Sequence, residues 1–388
     1  MLFLLTRLLF LLTLCLLTYV PPVHLYVHVP FCARRCSYCD FAIAVRREVP
    51  SRKFVDAVLA EWRGWQQDPA WDASPSLATI YLGGGTPSHL DAVELRRLLD
   101  ALRSDRPVDP DAEVTLEANP EDVTERNAEA WIAAGVNRIS LGVQSFDDTV
   151  LAWMHRTHDA AAVPAAMACL RAAGFANISV DLIFALPEAL GRDWSRDLEL
   201  ALALEPEHLS LYGLTVEAGT PLGRWTSRGE STPPPDERYA AEYLLAHRAL
   251  GAAGLDHYEV SNAGRPGYRA RHNSAYWRRA PFIGLGPSAH SALGGRRAWN
   301  VREWANYERL IDHGQPVGEA MEQLDASQLR LEEMYLGLRT SDGLASDLIP
   351  EAARRDWVAN GWALAQGGRH RLTVEGWLRL DALVGSIA

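Results

Sequence analysis

Three cysteines near the start of the chain constrain it more than any other feature. Cys32, Cys36 and Cys39 lie in the run CARRCSYCDF, directly after an apolar segment at residues 25–30. That segment predicts a buried strand ending at Pro30, so the cysteines occupy a loop that leaves the strand. Three thiolates on one loop suit a soft metal, and an iron–sulfur cluster held by three cysteines leaves one iron open to another ligand. The spacing therefore favours a three-cysteine iron–sulfur site.

Two other interpretations of the cysteines stay open at this point. A zinc site could be completed by His24 or His28, and unliganded thiols would also satisfy the spacing. Zinc sites usually pair their cysteines as C-x2-C and take a second pair from further along the chain. The other cysteines, Cys15 and Cys169, are isolated. An odd number of cysteines without paired spacing argues against a disulfide framework and for a reducing compartment.

The composition is that of a soluble globular chain. Its 388 residues are 48% hydrophobic and 22% charged, which suits one domain of about 200–250 residues and a smaller one. The net charge of −11 provides no electrostatic footprint for nucleic acid, so nucleic acid is not expected as a partner.

Residues 1–20 differ in character from the rest of the chain. They are almost wholly apolar, interrupted by Arg7, as in a signal peptide or a short membrane anchor. They contain no A-x-A-like cleavage site, and a secretory signal would carry an oxygen-sensitive cluster into an oxidising space. We favour a wrongly chosen upstream start codon, with a cytoplasm-facing anchor as the second interpretation. The expected location is cytoplasmic, with membrane association left open.

Predicted strands and helices alternate six times between residues 21 and 255. Each strand is followed by a crossover long enough to be a helix, which indicates parallel strands with right-handed connections. The expected fold class is α/β, with a partial (β/α)6 barrel of parallel strands over residues 21–255. Polar groups follow the strands at the face where such barrels place their sites. They are the cysteines, the GGGTPS segment at 83–88, Glu117, Gln144, Asp181 and Tyr212.

The pattern changes beyond residue 255. Residues 256–388 predict a C-terminal region that begins with glycine- and aromatic-rich segments and short elements. A small, mostly helical domain follows, for which a winged helix is one arrangement. Helices are predicted from residue 327 onward and over 356–365, with a strand or turn and a third helix after residue 371.

Several segments together resemble a known family. C-x3-C-x2-C with Tyr38 before the third cysteine resembles the signature of the radical S-adenosylmethionine (SAM) enzymes. With LYVHVPFC, GGGTPS, LEANP, ISLGVQSF, SVDLIFALP, HNSAYW and GLGPSAHS, residues 24–385 resemble the oxygen-independent coproporphyrinogen III oxidase-like family. The resemblance implies a radical SAM barrel that carries a 4Fe-4S cluster, with SAM at its open iron. Ala185 departs from the family, where a GLP turn generally has glycine.

The resemblance also assigns site residues. Cys32, Cys36 and Cys39 correspond to the cluster ligands. Further positions match those that line SAM pockets in the family: Tyr26, Tyr38, Gly84, Gly85, Thr86, Glu117, Gln144, Arg156, Asp181 and Gly213. From the residues alone, glycines after a strand allow the backbone to approach a ligand, and Arg156 suits the SAM carboxylate. A plain turn explains the glycines equally well, and each polar group taken singly is more often a cap or solvent-facing.

Two departures distinguish the branches of this family. The true oxidases have a fourth cysteine two residues after the third, where this chain has Phe41. They also have an N-terminal extension, whereas the corresponding part of this chain is short once residues 1–20 are set aside. Both departures fit the heme chaperone branch, whose HNxxYW segment occupies residues 272–277. Histidine can ligate heme iron while aromatic rings pack on the macrocycle, so His272 is the candidate heme ligand. A hydrogen-bonded structural histidine fits the same spacing.

The resemblance therefore implies a heme chaperone. Such a protein binds heme as cargo and passes it to acceptor hemoproteins, membrane-bound respiratory cytochromes among them. The alternative is an oxygen-independent coproporphyrinogen III oxidase, an oxidative decarboxylase of porphyrin biosynthesis that uses the same cluster and SAM. A zinc-dependent structural protein ranks below both.

Overall fold

The computed structural model describes residues 23–68 and 76–387. The apolar leader predicted over residues 1–20 lies outside the described residues. Among those that are described, none of the helices is both long and apolar enough to cross a bilayer.

Strands and helices alternate through the first two thirds of the chain. In chain order the elements there are β1 (His24–Val29), β2 (Phe31–Cys32), β3 (Ala44–Val45), α1 (Ser51–Trp65), β4 (Leu77–Gly84), α2 (Ala92–Asp105), β5 (Val108–Ala118), α3 (Glu125–Ala133), β6 (Arg138–Gln144), α4 (Asp148–Trp153), α5 (Ala162–Ala173), β7 (Ile178–Phe184), α6 (Trp194–Ala203), β8 (His208–Gly213), α7 (Pro221–Ser227) and α8 (Asp236–Ala252).

The C-terminal third has shorter elements. They are β9 (Asp256–Glu259), β10 (Asn262–Gly264), α9 (Arg271–Trp277), β11 (Phe282–Leu285), β12 (His290–Leu293), β13 (Arg296–Asn300), α10 (Trp304–Asp312), β14 (Gly318–Gln323), α11 (Ala326–Leu338), β15 (Leu344–Ala345), α12 (Glu351–Ala359), β16 (Ala363–Gln366), β17 (Arg369–Leu372), α13 (Val374–Trp377) and α14 (Leu380–Gly385).

One large sheet organises the described residues. Its strand order is β14-β13-β12-β11-β1-β4-β5-β6-β7-β8-β10-β9. The run from β1 through β4 to β8 is parallel throughout, with helices in the connections. The run stays open, because its end strands pair outward: β1 with β11 in parallel and β8 with β10 in antiparallel. The predicted α/β class and the six-stranded partial barrel are confirmed.

The two faces of each parallel strand differ in chemistry because successive side chains point to opposite sides. On β1, Leu25, Val27 and Val29 have no exposed surface and belong to the main apolar core. Tyr26 and His28 face the other way and line a cavity. The polar side chains of the strands therefore collect on the concave side of the barrel.

The helices begin close to the C-terminal ends of the strands, and side-chain caps fix where they begin. The carboxylates of Asp91, Asp147 and Asp193 accept N–H groups in the first turns of α2, α4 and α6. Such a cap satisfies donors that have no partner within the helix. The loops between strand ends and caps are consequently short and well anchored.

Residues beyond 255 divide between the large sheet and a helical part. Strands β9 to β14 extend both edges of the large sheet, while α11 to α14 surround a small sheet of order β15-β17-β16. The helix predicted over 356–365 is present but its limits are wrong, since it spans Glu351–Ala359. α12 ends at Ala359 because Gly361 adopts φ +74°, a left-handed conformation that ends helices, and Ala363–Gln366 then forms β16.

Candidate functional site

A cavity of about 410 Å³ lies at the C-terminal ends of the parallel strands, and we call it the site cavity. All three cysteines of the loop line it. Of the predicted SAM-pocket positions, all except Tyr26 line it as well: Tyr38, Gly84, Gly85, Thr86, Glu117, Gln144, Arg156, Asp181 and Gly213. Residues spread over more than 180 positions of sequence are thus brought to one cavity, as the strand-end argument predicts.

Backbone contacts hold the cysteine loop in place. The N–H of Ser37 donates to the carbonyl of Met154 at 3.1 Å, and the Ser37 carbonyl accepts from the N–H of Leu222 at 2.8 Å. Tyr38 packs against the small apolar cluster that contains Met154 and Ile183. These backbone hydrogen bonds fix the loop between α4 and α7.

The three thiols are partly buried and are available as ligands. Burial raises the pKa of the Cys32 thiol, and it raises that of Cys39 to about 11. Metal binding would have to remove these protons, as it does at any thiolate site. Within the described ranges, no three His, Cys, Asp or Glu side chains are arranged to hold a single metal ion.

Two polar side chains approach the sulfur atoms. The hydroxyl of Thr86 donates to Sγ of Cys32 at 3.5 Å, and Nη1 of Arg156 donates to Sγ of Cys36 at 3.7 Å. Hydrogen bonds to sulfur stabilise a thiolate and tune the potential of a cluster that it holds. The predicted SAM residues and the predicted cluster ligands therefore form one connected site.

The glycine segment after β4 passes very close to β1. Gly84 has φ +112°, and a Cβ there would lie 2.5 Å from the ring of His28, while a Cβ on Gly85 would lie 2.8 Å from the carbonyl oxygen of Phe31. No other residue type fits either position without displacing its neighbours. Close packing against β1 thus accounts for both glycines and at the same time places the segment in the wall of the site cavity.

Glu117 is held by two donors at the end of β5. The hydroxyl of Tyr81 donates to its Oε1 at 2.8 Å and the N–H of Gly84 to its Oε2 at 2.9 Å. Burial raises the pKa of Glu117 to about 7. Asp181 on β7 is held similarly, by the hydroxyls of Ser140 and Ser179 at 2.9 and 3.1 Å. Each carboxylate is fixed in orientation before any ligand binds.

Arg156 joins three parts of the site. Its Nη2 donates to Oδ1 of Asn119 at 2.6 Å and to the carbonyl of Gly142 at 2.8 Å, besides the contact of Nη1 with Cys36. Its Nε is buried and has no hydrogen-bond partner among the described residues. An unpaired buried donor on the wall of a cavity is what an anionic ligand group would satisfy.

Backbone strain also concentrates here. Gln144, the last residue of β6, adopts φ +68°. A left-handed conformation at a residue other than glycine is costly and is typical of functional sites.

Asn119 lines the site cavity but was not among the predicted site residues. It follows Glu117 by two positions in the LEANP segment, and that segment is the signal that could have identified it.

Two predicted residues, Tyr26 and His272, do not line the site cavity. Tyr26 lies behind it, where its hydroxyl contacts Nδ1 of His28 at 3.0 Å and its ring stacks on Tyr81. His28 also uses Nε2, which donates to the carbonyl of Ala42 at 3.0 Å. Both ring nitrogens of His28, a histidine considered for a zinc site, are thus engaged within the fold.

His272 is buried at the start of α9 and lines neither the site cavity nor the cavity beside Tyr26. Its Nδ1 contacts the hydroxyl of Thr79 and its Nε2 that of Tyr276, both at 2.7 Å. Burial lowers the pKa of His272 to about 3, so the ring is neutral. Ligation of heme iron by His272 would require one of these two hydrogen bonds to break.

Comparisons with known proteins agree with this geometry. Residues 26–201 match the model of the radical SAM superfamily. The chain is 38% identical to a protein of Synechocystis named Heme chaperone HemW over 344 residues, covering 86% of this chain and 82% of the relative. It is 37% identical to the protein of that name from Mycobacterium tuberculosis over 372 residues, covering 94% and 95% of the two chains.

A solved structure shares the whole fold. Escherichia coli coproporphyrinogen III oxidase (HemN), a radical SAM enzyme, superposes with a TM-score of 0.78 at 21% identity, covering 94% of this chain and 89% of that one. At that level of identity the likeness shows the fold alone. The two relatives named Heme chaperone HemW are matched over 82% and 95% of their own lengths, and the chain belongs to the HemW family of the radical SAM superfamily.

Proposed function

We propose that the chain is a heme chaperone, which binds heme and transfers it to acceptor hemoproteins, including membrane-bound respiratory cytochromes. The observation that carries the proposal is the 38% identity to a heme chaperone over 86% of this chain. Phe41 supports it, because it occupies the position of the fourth cysteine expected in the oxidases. We expect the protein to act in the cytoplasm, where association with a membrane would bring it close to such acceptors.

Cys32, Cys36 and Cys39 would hold a 4Fe-4S cluster, and membership of the radical SAM superfamily implies this cluster together with SAM. The residues present fit both groups: three thiols line one cavity, and Nε of Arg156 is a buried donor without a partner among the described residues. When bound, the cluster supplies one-electron chemistry. Arg156 would bind the SAM carboxylate and the segment Gly84 to Thr86 its amino end.

Glu117 and Asp181 would bind the remaining donors of SAM. A carboxylate accepts hydrogen bonds from hydroxyl and amino groups, and both side chains are already oriented by neighbouring hydroxyls. Gln144 and Gly213 close the cavity at the ends of β6 and β8. In this arrangement the chain binds and orients SAM beside the cysteine loop while Tyr38 keeps that loop packed.

A product test separates this function from that of an oxidase. The full chain is reconstituted anaerobically with iron and sulfide, reduced, and given SAM with coproporphyrinogen III. We expect no protoporphyrinogen IX, and its formation would overturn the proposal.

The second arm of the test measures transfer. Reconstituted protein loaded with heme is mixed with a heme-free respiratory cytochrome, and the absorbance of the cytochrome is followed with and without SAM. Transfer that depends on the cluster and SAM is the expected result. Two results would contradict it: heme that stays on the chain, or a cytochrome that takes up free heme from solution as well as it takes up heme from the loaded chain.

A further inference from the structure

A second cavity, of about 520 Å³, lies beside the barrel between the sheet extension and α11. We call it the lateral cavity. Its volume is within the range of about 300–1,000 Å³ that small-molecule sites occupy. One wall is the face of the sheet from β1 across β11 to β13, and the opposite wall is the C-terminal end of α9 and one side of α11.

The lateral cavity exposes apolar surface that the fold leaves partly uncovered. Tyr276, Phe282, Leu329 and Leu336 line it, and each is only half-buried. Half-buried apolar side chains that face each other across a cavity favour a flat apolar ligand, because the ligand would remove their surfaces from water. The macrocycle of a heme is such a ligand.

One imidazole on the wall is available for a metal. The register of β12 with β11 and β13 places His290 on the same face as Phe282 and Trp299. Its ring stacks on Trp299 at a centroid distance of 5.8 Å, is exposed, and has no hydrogen bond through either nitrogen within the described part of the chain. Burial and the charge of Arg297 lower the pKa of His290, and neutral imidazole is the form that ligates metals. His28, the other histidine lining the cavity, has both nitrogens engaged.

Three arginines gather at the rim of the lateral cavity, in a chain whose net charge is −11. Arg279, Arg296 and Arg297 line it, against one carboxylate, that of Glu332. Glu332 pairs with Arg279 at 3.0 Å and also with Arg297, and Arg297 lies 3.6 Å from Glu322 as well. Arg296 has the weakest pairing, because the oxygen of Asp68 is 4.0 Å away. Guanidinium groups bind carboxylates strongly, and a heme has two propionates.

We propose that the lateral cavity is the heme-binding site of this chain, with His290 as an iron ligand and the arginine rim binding the propionates. The inference rests on the proposed function and differs from the sequence-based prediction, which named His272 as the candidate heme ligand.

The lateral cavity and the site cavity share a wall. His28 lines the lateral cavity, and its ring lies where a Cβ on Gly84 would be, at 2.5 Å, while Gly84 lines the site cavity. A heme in the lateral cavity would therefore lie one layer of side chains away from the glycine segment. This proximity gives SAM binding a direct physical route by which to affect the heme site.

The test compares heme with metal-free protoporphyrin IX, because only heme can gain from a ligand to iron. The full chain and its His290→Ala variant are titrated with each porphyrin and followed by the Soret absorbance. We expect the variant to lose about tenfold or more in affinity for heme, to lose the spectrum of a histidine-ligated iron, and to keep its affinity for protoporphyrin IX. Added imidazole should restore the spectrum of the variant.

A steric variant tests the lateral cavity without changing His290, the proposed iron ligand. Ala292 pairs with Phe282 across β12 and β11 and lines the lateral cavity, so Ala292→Trp would fill it and weaken the binding of both porphyrins. His313→Ala, which changes an exposed histidine after α10, is the matched control and should leave both affinities unchanged.

The outcomes separate the location of the heme site from the proposed function of binding heme. A His290→Ala variant with the heme affinity and spectrum of the wild type would overturn the inference, and more so if His272→Ala abolished both. A wild-type chain that binds no heme would instead overturn the proposed function itself.

Discussion

The backbone N–H of Gly84 donates to the carboxylate of Glu117 at 2.9 Å, from the end of β4 to the end of β5. The N–H of the next glycine, Gly85, donates to the carbonyl of Val29 at 2.8 Å. Since both N–H donors are used within the protein, this segment can offer a ligand hydrogen-bond acceptors. An ammonium group donates and needs acceptors, which is the requirement of the amino end of SAM.

Gly84→Ala should weaken SAM binding and destabilise the fold. The new Cβ would lie 2.5 Å from the ring of His28 in a backbone conformation with φ +112°, so the segment would have to move away from Glu117. We expect a loss of several kcal/mol in the free energy of unfolding, as for other overpacked and strained positions, and a loss of SAM binding measured by equilibrium dialysis. Gly174→Ala is the control, because Gly174 has φ +104° with nothing within 4 Å of its Cβ position. It should cost about 1–2 kcal/mol from the backbone conformation alone and leave SAM binding unchanged.

Cys36→Ala should abolish the brown absorbance of the reconstituted cluster. Cys36 lies in the loop beside Arg156, and a cluster that loses one of three protein ligands is not retained. Cys169→Ala is the matched control, since Cys169 lies in α5 and does not line the site cavity. Iron and sulfide assays on both variants check the result, and bleaching in Cys169→Ala would show that the ligands are assigned wrongly.

The parallel core was predictable from the sequence because each of its strands combines an apolar run with a polar residue at its end. Glu117 and Gln144 lie at strand ends, Asp181 lies within β7, and all three line the site cavity as expected. The period of two along a strand fixes which side chains face the barrel. The geometry of the core therefore follows from local patterns alone.

The lateral cavity could not be predicted in this way. Its walls come from α9, β11 to β13 and α11, and its character depends on how these elements pack rather than on any short motif. The hydrogen bonds of His272 are equally non-local, because its partner Thr79 is 193 residues away in sequence. The HNxxYW spacing identified the histidine but contained no information on what its nitrogens contact.

Ala185→Gly should leave the fold unchanged in stability or stabilise it by up to about 1 kcal/mol. Ala185 follows β7 with φ +57°, a conformation that costs a non-glycine residue about 1–2 kcal/mol, and the loss of one buried methyl group offsets about 0.8 kcal/mol of that gain. Chemical denaturation measures the change. Ala165→Gly makes the same chemical change at an exposed position within α5 and should cost about 1 kcal/mol. Equal destabilisation by both variants would contradict the assigned strain.

His272→Gln should destabilise the chain more at pH 7.5 than at pH 5. Burial holds the pKa of His272 at about 3 in the folded state, whereas the unfolded value is about 6.5. Below pH 6.5 the unfolded state binds the proton that the folded state excludes, so the wild type loses stability as the pH falls, by about 1.4 kcal/mol per unit. Glutamine carries no such proton, and the difference between the two proteins should therefore shrink by about 2 kcal/mol between pH 7.5 and 5. Urea unfolding of both proteins at the two pH values measures this change in the stability difference. A stability difference that stays constant would mean that His272 is charged in the folded state. The hydrogen bonds to Thr79 and Tyr276 would then need a different assignment.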